Sequence, residues 1–179
     1  MRLDTFDKRV FDRGVPSLVE VLWIVVQELI FTTALPGSFW RRGILRVFGA
    51  KIGKHVVIKP RVRIKFPWKI IVGDYSWVGE AAWIDNLASV TIGDHCCISQ
   101  SAYFCTGNHD WSKDIFDLIA EPIFIGNQVW IGANAVVGPA VSIGEGAVLC
   151  LGGVLTKDAR PWAVYAGNPA SAVAERPKQ

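Results

Sequence analysis

The chain has 179 residues, 51% of them hydrophobic, which is enough for one domain to bury a core and excludes a disordered polymer. Its formal net charge of +3 comes without the Lys/Arg stripe that a nucleic-acid footprint needs, so no nucleic-acid partner is expected. Cys96, Cys97, Cys105 and Cys150 show neither C-x-x-C nor zinc-ligand spacing, and the charged start MRLDTFDKRVFDRG lacks an apolar leader core, so reduced thiols, no metal and a cytoplasmic chain are expected.

The N-terminal segment, residues 1–43, contains one clear helical signal. Ser17 and Glu20 have capping-box spacing ahead of an apolar run, and Pro36-Gly37 ends it, which predicts a helix over about residues 18–34. Glu20 and Gln27 share a narrow polar stripe with Glu28 beside it; the rest of the circumference is apolar. Two acids in a segment near the lower length limit for a span disfavour a transmembrane helix. The broad apolar face then has two ways to be buried: by packing on the rest of the assembly, or by peripheral contact with a membrane through residues 18–34, helped by Trp23, Trp40, Arg41 and Arg42.

From residue 44 to 160 the chain repeats. Apolar residues recur six apart at Ile52, Ile58, Ile64, then Val72, Val78, Ile84, then Ile92, Ile98, Phe104, and after a gap at Ile125, Ile131, Val137, Ile143, Leu149 and Leu155. Four places after each anchor stands a second residue, usually small or Val, such as Val56, Ala82, Ala135 or Ala147. A step of six is wrong for a helix and fits a strand's period of two, with both slots pointing inward. The anchors fall in triplets, and Gly53, Gly73, Gly93, Gly126 and Gly144 follow the first anchor of each, where glycine is expected to permit a tight corner. The fold predicted is all-β: a parallel β-helix of about five three-sided coils, with an N-terminal helix and a protruding loop.

The interruptions point to the site. Two extra residues fall between Ile64 and Val72, two between Ile84 and Ile92, and a long loop, 105–124, departs after Phe104. All three lie on the third side of their coils, so one column is the candidate active-site wall, with the loop above Asp85 and Asn86. The loop concentrates polar and aromatic groups in Gly107, Asn108, His109, Asp110 and Trp111 on a connection held by a rigid scaffold. Asp85, Asn86, Asp110 and Trp111 are the candidate substrate contacts. His55 and His95 fall at outward positions two coils apart, about 10 Å, too far to share a metal, and are expected at the surface.

The repeat resembles the hexapeptide-repeat acyltransferase superfamily over roughly residues 44–172. The resemblance implies a left-handed β-helix and a homotrimer. Thr106, Gly107 and His109 are similar to the T-G-x-H-type loop that carries the family's catalytic base, with Asn108 as an extra residue. It implies that a neutral His109 imidazole takes the proton of an acceptor hydroxyl, with Asp110 or Asp114 orienting the ring. The stretch from Pro122 to Ala170 is similar to the last coils of sugar O-acetyltransferases, which line an acetyl-CoA channel between two subunits. The implied coenzyme contacts are Trp130, Gly132, Ala133, Leu151, Gly152, Gly153, Thr156 and Lys157, with small residues admitting the pantetheine arm and Lys157 meeting a phosphate. Residues 161–179 form a closing segment.

Two departures put the acceptor in doubt: Gly79 stands where many galactoside-type relatives carry Asn, and Ser171 where they carry a basic residue. The H-x-x-x-x-H zinc pair of the γ-class carbonic anhydrases, which share the fold, is missing. With RRGILRVFGAKIG, W-I-D-N and T-G-N-H-D, the chain looks most like the colanic-acid acetyltransferase branch, which implies a sugar or lipid-linked sugar acceptor in exopolysaccharide biosynthesis. The implied place is cytoplasmic, with a contact at the inner face of the membrane left open. A drug or small-molecule acetyltransferase and a non-catalytic hexapeptide scaffold are the competing readings.

Overall fold

A computed structural model describes residues 11–178. All fifteen anchors are buried, none more than 8% exposed, because each sits on a strand of two or three residues whose neighbours on either side point outward. The strands form three parallel sheets, one for each side of a left-handed prism. The first face stacks Lys51–Ile52, Ile70–Val72, Val90–Ile92, Ile123–Ile125 and Ser142–Ile143. The second stacks the strands of Ile58, Val78, Ile98, Ile131 and Leu149, and the third those of Ile64, Ile84, Phe104, Val137 and Leu155. Anchor pairs with anchor on every face, so the core is a continuous aliphatic column, each fully buried side chain contributing about 1.5–3 kcal/mol.

The stack runs past the five expected coils into an incomplete sixth. Ala159 bridges Ile143 on the first face, and Ala163–Gly167 adds a parallel rung to the second by pairing with Val148–Leu149. It then folds back on Ala170–Glu175 as an antiparallel pair, which closes that end.

The glycines at the first corner work differently from the expectation. The residues with positive φ there are His55, Tyr75, His95, Gln128 and Gly146, each two places beyond the glycine that follows an anchor. What those glycines supply is close approach: a Cβ on Gly73 would lie 2.6 Å from the carbonyl carbon of Gly93 and 2.7 Å from the amide of Asp94 in the next coil. The corner is tied by side-chain acceptors, with Asp74 taking the amide of Lys54 at 2.7 Å, Asp94 that of Asp74 at 2.7 Å, and Asn127 that of Asp94 at 2.9 Å. His55 and His95 are exposed here, stacked on the two faces of Tyr75 at 4.9 and 5.1 Å.

On the third face the inward slot also moves. In the first three coils the buried residue is two places after the anchor, Phe66, Asn86 and Thr106, instead of four places after it at Trp68, Ala88 and Asn108. Asn86 is therefore no substrate contact: it is fully buried, and its amide accepts from Phe66 N at 2.9 Å and donates to Phe66 O at 2.7 Å.

The N-terminal helix α1, Ser17–Val26, continues as a π-turn over Gln27–Phe31, ending three residues earlier than expected. Pro16 is its N-cap, and no side chain caps it; Glu20 pairs instead with Arg13. A second helix, α2, Ser38–Val47, was not foreseen. Together they stopper the first coil, whose strand edges would otherwise carry unpaired amides and carbonyls. Trp23 Nε1 donates to Ile64 O at 2.9 Å and Gln27 Oε1 accepts from Ile64 N at 2.9 Å. Ser38 Oγ bridges Ile58 N and O, Arg42 donates to Val56 O, and Arg46 to Ile52 O and Gly53 O. Buried Arg41 gathers the carbonyls of Phe31, Thr33, Leu35 and Gly37, shaping the link between the helices. Among the described residues no helix is long and apolar enough to cross a membrane.

Candidate active site

The long interruption is a β-hairpin. Gly107–His109 pairs antiparallel with Leu118–Ala120, so Asn108 faces Ile119 and His109 faces Leu118. Its root is fixed by Thr106, fully buried, whose hydroxyl donates to Asp85 O at 3.1 Å and accepts from Ala88 N at 3.0 Å, while its carbonyl takes the amide of Glu121 at 2.9 Å. A loop side chain is thereby referred back to the rigid prism.

The ring of His109 packs against Phe116. The two rings stack at 4.2 Å with the planes 4° apart, and His109 Nδ1 lies 2.9 Å from Phe116 O. A carbonyl oxygen only accepts, so Nδ1 carries the proton of the neutral ring and Nε2 keeps its lone pair. This is the tautomer a general base needs. The partner of Nδ1 is thus a backbone carbonyl, brought across the hairpin by Phe116, a residue the sequence reading passed over. Asp110 is engaged elsewhere, by Ser112 and by Lys113 at 3.1 Å, and these hold its carboxyl below the usual range. Asp114 and Trp111 are exposed on the hairpin turn.

Beside the hairpin root, a cleft of about 240 Å³ runs between the end of the N-terminal helix and the third face, lined by Gln27, Glu28, Arg63, Lys65, Trp83 and Asp85. Asp85 is the sheet neighbour of Cys105, which begins the loop. Its carboxylate pairs with Lys65 at 2.9 Å and accepts from Tyr103 at 3.3 Å. Burial, then Cys105 and Asp85, push the Tyr103 phenol well above its ordinary value. Trp83, partly exposed, leans on Tyr103 at 4.8 Å and offers one face to the cleft. Arg63, Lys65 and Trp83 were missed, though strand alternation marks them: they flank Ile64 and Ile84 as the outward residues.

The expected coenzyme positions do not share one environment. Gly132 and Gly153 are buried and have packing reasons, since a Cβ on Gly132 would meet Cys150 C at 2.7 Å and one on Gly153 would meet Leu149 Cδ1 at 2.8 Å. Trp130 and Leu151 are exposed, with Trp130 Nε1 donating to Ser99 at 3.0 Å. Gly152, its amide on Ala133 O at 2.8 Å, differs from all of these. Its φ of +65° recurs at the same corner in Arg61, Ala81, Ser101 and Asn134, which carry side chains, and a Cβ on Gly152 would meet nothing within 4 Å. Glycine there leaves open space beside a bare backbone, as a thin ligand arm requires. Thr156 and Lys157 are exposed at the far edge of the third face, two rungs beyond the hairpin root, about 10 Å. The set therefore brackets the third face from both edges instead of forming one patch.

The bacterial transferase hexapeptide family (six repeats) matches residues 122–154. The candidate colanic acid biosynthesis acetyltransferase WcaF of Escherichia coli (strain K12) is 42% identical over 165 residues, 92% of this chain and 91% of that one. The galactoside O-acetyltransferase of Escherichia coli (strain K12) is 29% identical over 138 residues, covering 75% and 68%. Among solved structures, a hexapeptide-repeat acetyltransferase of Vibrio cholerae O1 biovar eltor complexed with acetyl-CoA superposes with a TM-score of 0.82 at 25% identity, over 90% of this chain and 89% of that one.

Proposed function

We propose that this chain, which belongs to the hexapeptide-repeat acetyltransferases, moves the acetyl group of acetyl-CoA onto a sugar hydroxyl in polysaccharide biosynthesis. The observation that carries the mechanism is the Nδ1 hydrogen bond of His109 to Phe116 O, which puts the proton of the neutral ring on Nδ1 and makes Nε2 the accepting nitrogen. Bound acetyl-CoA supplies the thioester carbonyl. His109 Nε2 accepts the acceptor's proton as the sugar oxygen attacks; the resulting cation is stabilised by the Phe116 carbonyl and returns the proton to the leaving sulfur. The sugar ring lies against Trp83 in the cleft, within reach of the Asp85–Lys65 pair, with Asp110 and Trp111 on the hairpin closing over it. The arm of the coenzyme passes the open corner at Gly152, and Lys157 meets a phosphate.

Because the coenzyme positions bracket the third face, a homotrimer completes the channel, a neighbouring subunit supplying its other wall. The assembly is cytoplasmic, in keeping with four free thiols, and touches the membrane peripherally through residues 18–34. Incubation with acetyl-CoA and candidate oligosaccharides, followed by mass spectrometry, should show an acetyl group added to the sugar and removed by mild base. Acetyl-CoA consumption with no sugar ester from any acceptor would defeat the proposal.

Lys157→Glu should weaken acetyl-CoA binding, and the loss should shrink as salt rises, since contact between an exposed cation and a phosphate is screened. A dissociation constant unchanged at low salt would remove Lys157 from the coenzyme site.

A further inference from the structure

The N-terminal helix docks with its polar stripe inward. Gln27 is bonded to Ile64, Glu20 is turned to Arg13 with its side chain 14% exposed, and Trp23 is fully buried. These three stand at helical spacing on one side. Leu18, Val21, Leu22, Val25 and Leu29 share the opposite side and face outward, Leu18 79% and Leu29 72% exposed. A surface helix on a water-soluble face has the reverse arrangement. The link and second helix at the same end leave Leu35 and Phe39 exposed as well.

Charge says what covers this face. Between Leu29 and Gly73 the chain has ten Lys or Arg and no Asp or Glu, whereas residues 74–179 have five and eleven. The cations lie in the second helix and the first coil, on which both helices sit: Lys51, Lys54, Lys59 and Arg63 are exposed there. The prism is therefore an electric dipole with its basic pole at the end carrying the aliphatic face. Such a molecule is turned by an anionic surface so that this end arrives first.

We infer that the basic end is a docking surface for an anionic phospholipid bilayer, with the outward side of the helix inserting among the acyl chains and the first-coil cations resting on the headgroups. This specifies the peripheral contact in the reading of function just given, and it does not depend on the identity of the acceptor. Glu28, at the end of the same helical segment, lines the cleft, so a docked molecule holds that cleft next to the membrane surface.

The test is flotation of the full-length protein with vesicles of phosphatidylglycerol and phosphatidylcholine, or of phosphatidylcholine alone. Binding is expected to the anionic vesicles, at least tenfold stronger than to the neutral ones, and to fall at least tenfold between about 0.05 and about 0.5 M salt. The double variant Leu22→Glu/Leu29→Glu should lose flotation while keeping its sedimentation coefficient and its turnover of a soluble acceptor, and Lys54→Glu/Lys59→Glu should bind more weakly with a shallower salt dependence. Equal binding to both vesicles, no binding at low salt, or a changed oligomeric state in the leucine double variant would overturn the inference, the last by showing the face to be a contact between copies. Turnover of the soluble acceptor is read separately: its absence in the wild type counts against the catalytic proposal, whatever the vesicles show.

Discussion

Replacing His109 with alanine is expected to lower turnover of acetyl-CoA with a sugar acceptor by about 10²–10⁴-fold while coenzyme affinity stays near that of the parent. The range is what one positioned base contributes to a proton transfer. Alanine should leave the hairpin standing, because the strand pair 107–109 with 118–120 is held by backbone bonds and its root by Thr106, neither of which uses the imidazole. The coenzyme dissociation constant and the denaturation midpoint of the same variant separate chemistry from packing. A variant that turns over near the parent rate rules out His109 as the base.

Gly73→Ala should destabilise the protein by about 3 kcal/mol, a large share of the total for a single methyl group. The added carbon would sit 2.6 Å and 2.7 Å from backbone atoms of Gly93 and Asp94, and backbone in a coil bonded on both sides cannot move aside. Gly152→Asn is the matched control. It has the rarer φ, yet open space around it, so its cost should stay within about 1 kcal/mol, asparagine being tolerant of the left-handed region. Denaturant midpoints of the two variants compare the causes directly. If the two substitutions cost the same, backbone conformation governs both sites and the close-approach account of the first-corner glycines fails.

That contrast also shows what sequence patterning can and cannot carry. The anchors were readable because a six-residue step on a strand period leaves one arrangement that buries them all, and every one from Ile52 to Leu155 is buried. The glycine beside each anchor was visible, but its reason was not, since a chain read one coil at a time contains no information on the distance to the next coil. The third-face slots misled for a related cause: the added residues let the chain stay extended past the anchor, as at Phe66, so the inward position moves from Ala88 to Asn86 and an expected ligand contact becomes a structural amide. The second helix was hidden by Gly43 and by Arg41, a cation that counts as polar in any pattern yet is fully buried on four carbonyls. In the site, His109 stood out by chemical type, whereas Phe116 acts through its carbonyl, a group every residue has. The cleft residues Arg63, Lys65 and Trp83 are outward positions by strand alternation, but outward Arg, Lys and Trp recur along the prism, and only the packing of the N-terminal helix beside them makes a cleft of these three.

The stopper on the first coil has a meaning for why one prism does not stack end to end on another. A prism of in-register parallel strands is a template at each end: its terminal rung presents the same rows of donors and acceptors that join one coil to the next, and a second prism could continue the stack at the usual spacing of about 4.8 Å. Trp23, Gln27, Ser38, Arg42 and Arg46 occupy those positions with side chains, so the rung is chemically complete and offers nothing to extend. A chain cut before Lys51 would keep its repeats and lose this chain terminator, and the growth of filaments by end addition would then be the natural fate of an otherwise well-folded core.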